Sequence, residues 1–394
     1  MPRTRVLVVD HAIPTPDQDS GSASTFAYLR ILSAFGYSLT FATPGMVSAG
    51  AYTQALNDLG IATPTRPEWS SLQAVVEGAG PGTDTFLLYR GAVAARVFDI
   101  ARRAAPAARI IFHPVDLHFL RLERQSVVTA NPAVAEAAQA LRAIELDLVK
   151  RADATIVVSI EESALLRRLV PHAAVHRIPI LREAPPQPAG LFGWRRLARR
   201  LPGTRLGAAA RRIAVARPGF ASRRDIVFIG GFSHEPNVDG VHWFVDEVWP
   251  RLRQRGFSGR LIIGGSKVPA SIAQLASDAI EVRGHVADLA TLFDRSRLSI
   301  APLRFGGGIK GKIVTSLSYG VPVVATSVGA EGMGLRSGED ILVADDPEEM
   351  AGQIIRLYGD ADLWRQVSTN AFEAFHNNFS EGAGAGKVRA VFEG

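Results

Sequence analysis

The chain of 394 residues contains no cysteine, which removes disulfides, thiolate metal sites and a cysteine nucleophile together. Long apolar runs are missing as well. At the start, Met1-Pro-Arg-Thr-Arg5 leads into only Val6-Leu-Val-Val9 before Asp10, far short of a signal-peptide core or a membrane span. A cytoplasmic location is therefore expected. No constellation of acids and histidines reads as a divalent-ion site. Disorder has little room, because 47% of residues are hydrophobic and 21% charged, the proportions of packed globular proteins.

The length exceeds one ordinary core and suits two α/β domains of similar size. Lysine and arginine total 44 against 38 acids, a net charge of +6, which favours an anionic partner such as a nucleotide, nucleic acid, acidic glycan or lipid headgroup. Short β-rich runs at 5–10, 86–90, 109–113 and 154–159 alternate with amphipathic segments, the rhythm of a doubly wound parallel sheet. The rhythm stops between Pro185 and Arg224, a stretch with ten arginines and no acid. It restarts at 226–230 and recurs at 260–264, 279–283, 298–302 and 322–326. The expected division is an N-terminal Rossmann-like domain at 1–183, an arginine-rich linker at 184–224, a second Rossmann-like domain at 225–378, and a helix at 379–394 crossing back.

The most informative stretch is Pro302-Leu-Arg-Phe-Gly-Gly-Gly-Ile-Lys-Gly-Lys-Ile313, which continues through a helix to Tyr319-Gly-Val-Pro-Val-Val-Ala-Thr326. Three glycines before a helix let the backbone approach a ligand and aim free N–H groups at an anion. Lys310 and Lys312 add to that field. A flexible connection with two solvated lysines is the alternative. The spacing is not that of a Walker loop.

Gly308-Ile-Lys-Gly-Lys-Ile and the run from Tyr319 to Gly332 resemble the donor-site signature of family-4 retaining glycosyltransferases of the GT-B fold. Phe228-Ile-Gly-Gly-Phe-Ser-His-Glu-Pro-Asn resembles the opening unit of their C-terminal domain. The resemblance implies an α/β protein of two Rossmann-like domains facing each other across a cleft. It further implies a nucleotide-diphosphate sugar donor, a glycan or lipid-linked acceptor, retention of configuration and no metal or other cofactor, with which the lack of a divalent-ion constellation is consistent. The main chain of Gly307, Gly308, Ile309 and Lys310 would meet the diphosphate, with Lys310 and Lys312 neutralising it. The loop holding Arg283, His285 and Val286 would border the base. Members commonly carry two glutamates where this chain has Gly307 and Thr315, and an arginine and a lysine where it has Gly231 and Pro236. Arg304 is then a further candidate counter-ion, and Glu331 a replacement sugar or ribose contact.

In the first half, the polar loop after the first strand offers Gly21 and Ser22 for backbone contacts, with Asp17 and Asp19 as helix caps. The cluster His113-Pro-Val-Asp-Leu-His-Phe-Leu-Arg121 suggests a ligand-facing loop. A histidine near the reacting carbon is implied by the resemblance; His118 with Asp116 and Arg121 is the first choice, His113 the second. Arg90 and Glu161 are further cleft candidates. In the linker, Trp194, Leu197 and Leu201 share one helical face among arginines, which fits an anionic membrane surface or a solvated connection. Nucleic acid is disfavoured by the sparse aromatics. A non-catalytic scaffold of the same fold and a sugar-nucleotide 2-epimerase are the competing functions.

Overall fold

A computed structural model describes residues 4–185 and 217–394. The first domain is a six-stranded sheet in the order β2-β1-β3-β4-β5-β6. Its strands are β1 Arg5–Val9, β2 Ser38–Ala42, β3 Thr85–Tyr89, β4 Arg109–His113, β5 Ala154–Val157 and β6 Val175–Arg177. Every pairing is parallel. Side chains alternate between two cores, as a pleat demands: Leu7, Phe86, Leu88 and Phe112 face one helical layer, Val6, Val8, Leu87 and Ile111 the other. Both faces are covered, which is why these strands read as continuous apolar runs.

The second sheet repeats the plan in the order β12-β11-β10-β7-β8-β9. Its strands are β7 Asp225–Ile229, β8 Leu261–Gly264, β9 Ile280–Arg283, β10 Ser296–Ala301, β11 Val323–Ala325 and β12 Leu342–Val343. Chain order reverses between β1 and β3 in one sheet and between β7 and β10 in the other, and ligand crevices form at such switch points. All expected strands are present. The three not anticipated, β2, β6 and β12, lie at sheet edges; β6 and β12 are also only three and two residues long. Helix starts are set by caps, among them Asp19 on Ser22 N and a capping box between Ser159 and Glu162.

The helix Glu381–Glu393 returns to the first domain. Its Val388, Val391 and Phe392 join the core that holds Val6 and Leu29, and Arg109 donates to the Val391 carbonyl at 2.6 Å. Trp194, Leu197 and Leu201 lie outside the described residues. Where the arginine-rich stretch ends, Arg217 and Arg223 are buried, neither solvated nor free to meet a membrane. Arg217 stacks 4.5 Å from the Tyr319 ring centroid and pairs with Asp294 at 2.9 Å. Arg223 is 1% exposed and donates to the carbonyls of Pro218, Phe293 and Ser296. Both bolt the second domain together. Among the described residues no helix is long and apolar enough to cross a membrane.

Candidate active site

The carboxyl ends of both sheets converge on one cleft of about 240 Å³. Its second-domain wall carries six glycines, Gly230, Gly231, Gly265, Gly306, Gly307 and Gly311, which bare the backbone between side chains. The glycine loop after β10 leads into the helix Gly311–Ser318, and Gly307, Ile309, Lys310, Lys312 and Thr315 line the cleft. Gly308 has φ +55, a region that favours glycine, and a methyl group there would lie 2.9 Å from Asp116 Cβ. At Gly311 it would lie 1.7 Å from Ser20 Oγ. These glycines are what allow the two walls to touch.

The lysines are held inside this wall. Lys310 Nζ donates to the carbonyls of Gly308 at 2.7 Å and Gly307 at 3.2 Å, shaping the loop. Lys312 Nζ donates to Asn237 Oδ1 at 2.8 Å, and Asn237 Nδ2 to the Gly231 carbonyl at 2.7 Å, tying the loops after β7 and β10 together. Burial lowers Lys310 to about 8; burial and the neighbouring Lys310 lower Lys312 to about 7. Arriving negative charge would favour the protonated form of both.

The first-domain wall is built from side chains. Asp116 lies 3.1 Å from His118 Nε2 and 3.4 Å from Arg121 Nη1. Burial alone would raise its carboxyl, but Arg121 and His118 hold it well below the usual carboxylate range. Asp116 and Arg121 face the cleft; His118 does not, and props Asp116 from behind. His113 is 3% exposed and stacks on Tyr89, with ring centroids 4.9 Å apart. Burial drops it to about 3, so it stays neutral, its Nδ1 accepting from Val115 N at 3.1 Å. Val115 has φ +76, an uncommon conformation for a β-branched residue of the kind that gathers at functional sites.

Two buried carboxylates that sequence reasoning passed over fix this loop. Glu145 accepts from the amides of His118 at 3.3 Å and Phe119 at 3.2 Å, and Glu162 from Leu117 at 2.8 Å. They satisfy consecutive N–H groups at the start of the helix His118–Thr129, which its own residues leave orphaned. Burial raises both, Glu145 to about 7. His234, also passed over, reaches the cleft from the loop after β7. Burial lowers its pKa, with Arg121 adding to that and Asp116 opposing it. Its position after Gly230-Gly231 is the one signal that would have found it.

The other expected residues divide. Gly21, Gly231, His285, Val286 and Arg90 line the cleft. His285 Nε2 meets Asp17 at 3.2 Å from the opposite wall. Ser22, expected at the ligand, instead completes the cap, its N and Oγ donating to Asp19 at 2.8 and 2.6 Å. Arg283 turns to Glu281 at 2.5 Å. Glu331 is off the cleft because Arg124 takes its carboxylate through both terminal nitrogens, a link between the domains. Arg304 is drawn into an ion pair with Asp239 outside the cleft, and Glu161 sits against Gly332, off the cleft. Two Asp-x-Asp triplets do occur, Asp17-Gln18-Asp19 and Asp360-Ala361-Asp362, but Asp19 and Asp360 are each spent on a helix cap. Among the described residues no group of three or more acids, histidines or cysteines is arranged to hold a metal.

Two parallel sheets opposed at their switch points across a glycine-lined cleft define the GT-B class. The model of the family described as glycosyl transferases group 1 matches residues 223–360, which lie within the second domain. Solved structures agree in fold along the whole length. HepE of Anabaena, crystallised with UDP and glucose, is 16% identical with a TM-score of 0.71, covering 99% of this chain and 100% of that one. TarM of S. aureus is 8% identical with a TM-score of 0.71, covering 99% of each. Sucrose-phosphate synthase of Thermosynechococcus elongatus is 18% identical with a TM-score of 0.68, covering 99% and 98%. An uncharacterized 44.6 kDa protein in a cps region of Klebsiella pneumoniae is 26% identical over 161 residues, and the match takes in 39% of this chain and 42% of that relative.

Proposed function

We propose that this protein transfers a sugar from a uridine-diphosphate sugar to a glycan or lipid-linked acceptor, with retention of configuration and without a metal. The observation that carries the proposal is the opposition of the Gly306–Lys312 loop to Asp116 and Arg121 across one cleft. Uridine is favoured because HepE of the same fold was crystallised with UDP and with UDP-glucose. Retention and metal independence rest on the resemblance of the donor loop to family-4 enzymes.

In this proposal the amides of the glycine loop and the start of the helix Gly311–Ser318 receive the diphosphate, while Lys310 and Lys312 offset the charge that builds as it leaves. Fixed donors in a water-poor cleft stabilise such charge without reorganising, and that is the main source of rate. Asp116, kept anionic by Arg121 and His118, faces the positive charge developing on the sugar. The acceptor enters along the first-domain wall, where Gly21, Arg90 and His113 lie. The arginine-rich stretch would hold the enzyme at an anionic membrane beside a lipid-linked acceptor.

The test is incubation of purified protein with UDP-sugars, with and without candidate acceptors, following UDP release and the anomeric configuration of the product. Release of UDP with an α-linked product from an α-donor is expected. A scaffold releases no UDP above a control, and an epimerase alters the sugar with no acceptor present.

A further inference from the structure

Five lysines and arginines line the cleft among the described residues, and four of them have partners. Arg90 is paired with Asp10, Arg121 with Asp116, Lys310 with two carbonyls and Lys312 with Asn237. The fifth is Arg182. Its Nε is buried without a hydrogen-bond partner, and Asp19, the carboxylate whose charge acts on it, accepts hydrogen bonds from Ser22 N and Oγ instead. Burial lowers its pKa only to about 10, so it remains a cation at neutral pH. A guanidinium taken out of water without a hydrogen-bonded counter-ion is costly, and an incoming anion would relieve that cost.

The position of Arg182 says which anion. Its backbone is clamped at the crossing between the domains, its N–H donating to Phe379 O at 2.8 Å and its carbonyl accepting from Glu381 N at 3.0 Å. From there the side chain reaches the first residue of the helix Gly311–Ser318, where a methyl group on Gly311 would lie 3.1 Å from Nη2. Ser20 Oγ, also buried without a partner, meets the same spot. An unpaired planar fork, a free hydroxyl and the open amides of a helix start converge there, a combination suited to phosphate oxygens. Gly231 and Pro236, where cations are common in related enzymes, supply no charge.

We propose that Arg182 binds the donor's diphosphate from the interdomain crossing, in place of the cations missing at Gly231 and Pro236. This rests on the donor reading above. Because the residue is fixed by both the β6 exit and the start of the C-terminal helix, a ligand seated on it bridges both domains.

The experiment compares full-length wild type, R182Q and R182K by titration calorimetry with UDP and with inorganic pyrophosphate, and by thermal melting without ligand. R182Q should bind both probes at least tenfold more weakly, R182K should fall between, and unliganded R182Q should melt no lower than wild type because an unpaired buried charge is gone. Unchanged affinity of R182Q for both probes overturns the assignment and leaves the donor reading intact. A lower unliganded melting temperature with affinity retained also overturns it, marking a structural arginine. Wild type that binds pyrophosphate but not UDP, with binding weakened in R182Q, supports Arg182 and overturns the uridine donor. Wild type that binds neither overturns both.

Discussion

The two walls of the cleft come from the same parallel βαβ plan and are finished in opposite materials. The second-domain wall is rich in bare backbone, with glycines at 306, 307 and 311, two lysines folded back onto carbonyl and amide oxygens of their own domain, and His234 and His285 reaching in as side chains. The first-domain wall presents the side chains Asp116 and Arg121, held by Glu145 and Glu162 from two other helices. A backbone wall is written in adjacent residues, and the family match covers that domain. A side-chain wall is assembled from positions far apart in the chain, so under the proposed function it can vary with the acceptor while the donor wall stays put.

The contrast is broken most severely where the walls touch. Gly311→Val places a side chain inside Ser20 and should prevent closure, lowering kcat/KM by about 10²-fold or more, since misplacement of about 1 Å costs that much. Steady-state UDP release checks it; a near-normal rate would mean the walls need not meet. Asp116→Ala removes the anion that balances Arg121 and should lower kcat by about 10²-fold, the scale on which one electrostatic stabiliser of the transition state counts, with UDP affinity little changed. A fall in affinity alone would move Asp116 to the donor wall.

Glu145 sharpens the comparison through stability. Its folded pKa is raised from 4.5 to about 7, so the folded state holds the extra proton, and this contribution is fully present below pH 4.5 and lost as pH rises through 7. Glu145→Gln keeps an acceptor and removes the titration. Its stability relative to wild type should rise between pH 4.5 and pH 8 by up to about 3 kcal/mol, read by urea unfolding at both pH values. A pH-independent difference would place the charge elsewhere. The smallest effect belongs to Lys312, lowered to about 7. Diphosphate favours its charged form, so UDP affinity should weaken as pH rises through 7, by at most about tenfold per unit. Lys312→Arg should flatten that profile.

Much of the fold was legible because buried parallel strands are apolar on both faces; β2, β6 and β12 were missed because edge strands and very short ones carry little pattern. The glycine loop was legible for the same reason of locality. What escaped depended on partners distant in sequence. His118 was expected at the ligand and lies behind Asp116; Ser22 is absorbed by the cap. His234, Glu145 and Arg182 acquire meaning only from what faces them. Arg217 and Arg223 belong to a linker that reads as membrane-facing or solvated, yet Arg223 is satisfied chiefly by main-chain carbonyls, which no sequence pattern displays.

The return of Glu381–Glu393 into the first domain carries a consequence for biogenesis. A ribosome completes the residues of the first sheet early, but one flank of its core stays open until Val388, Val391 and Phe392 have been synthesised. Domains generally fold as units in order of synthesis; here the domain made first is sealed last. A nascent chain should therefore keep that flank available to chaperones through the whole translation of the second domain, and truncation before this helix should impair the domain furthest from it in sequence.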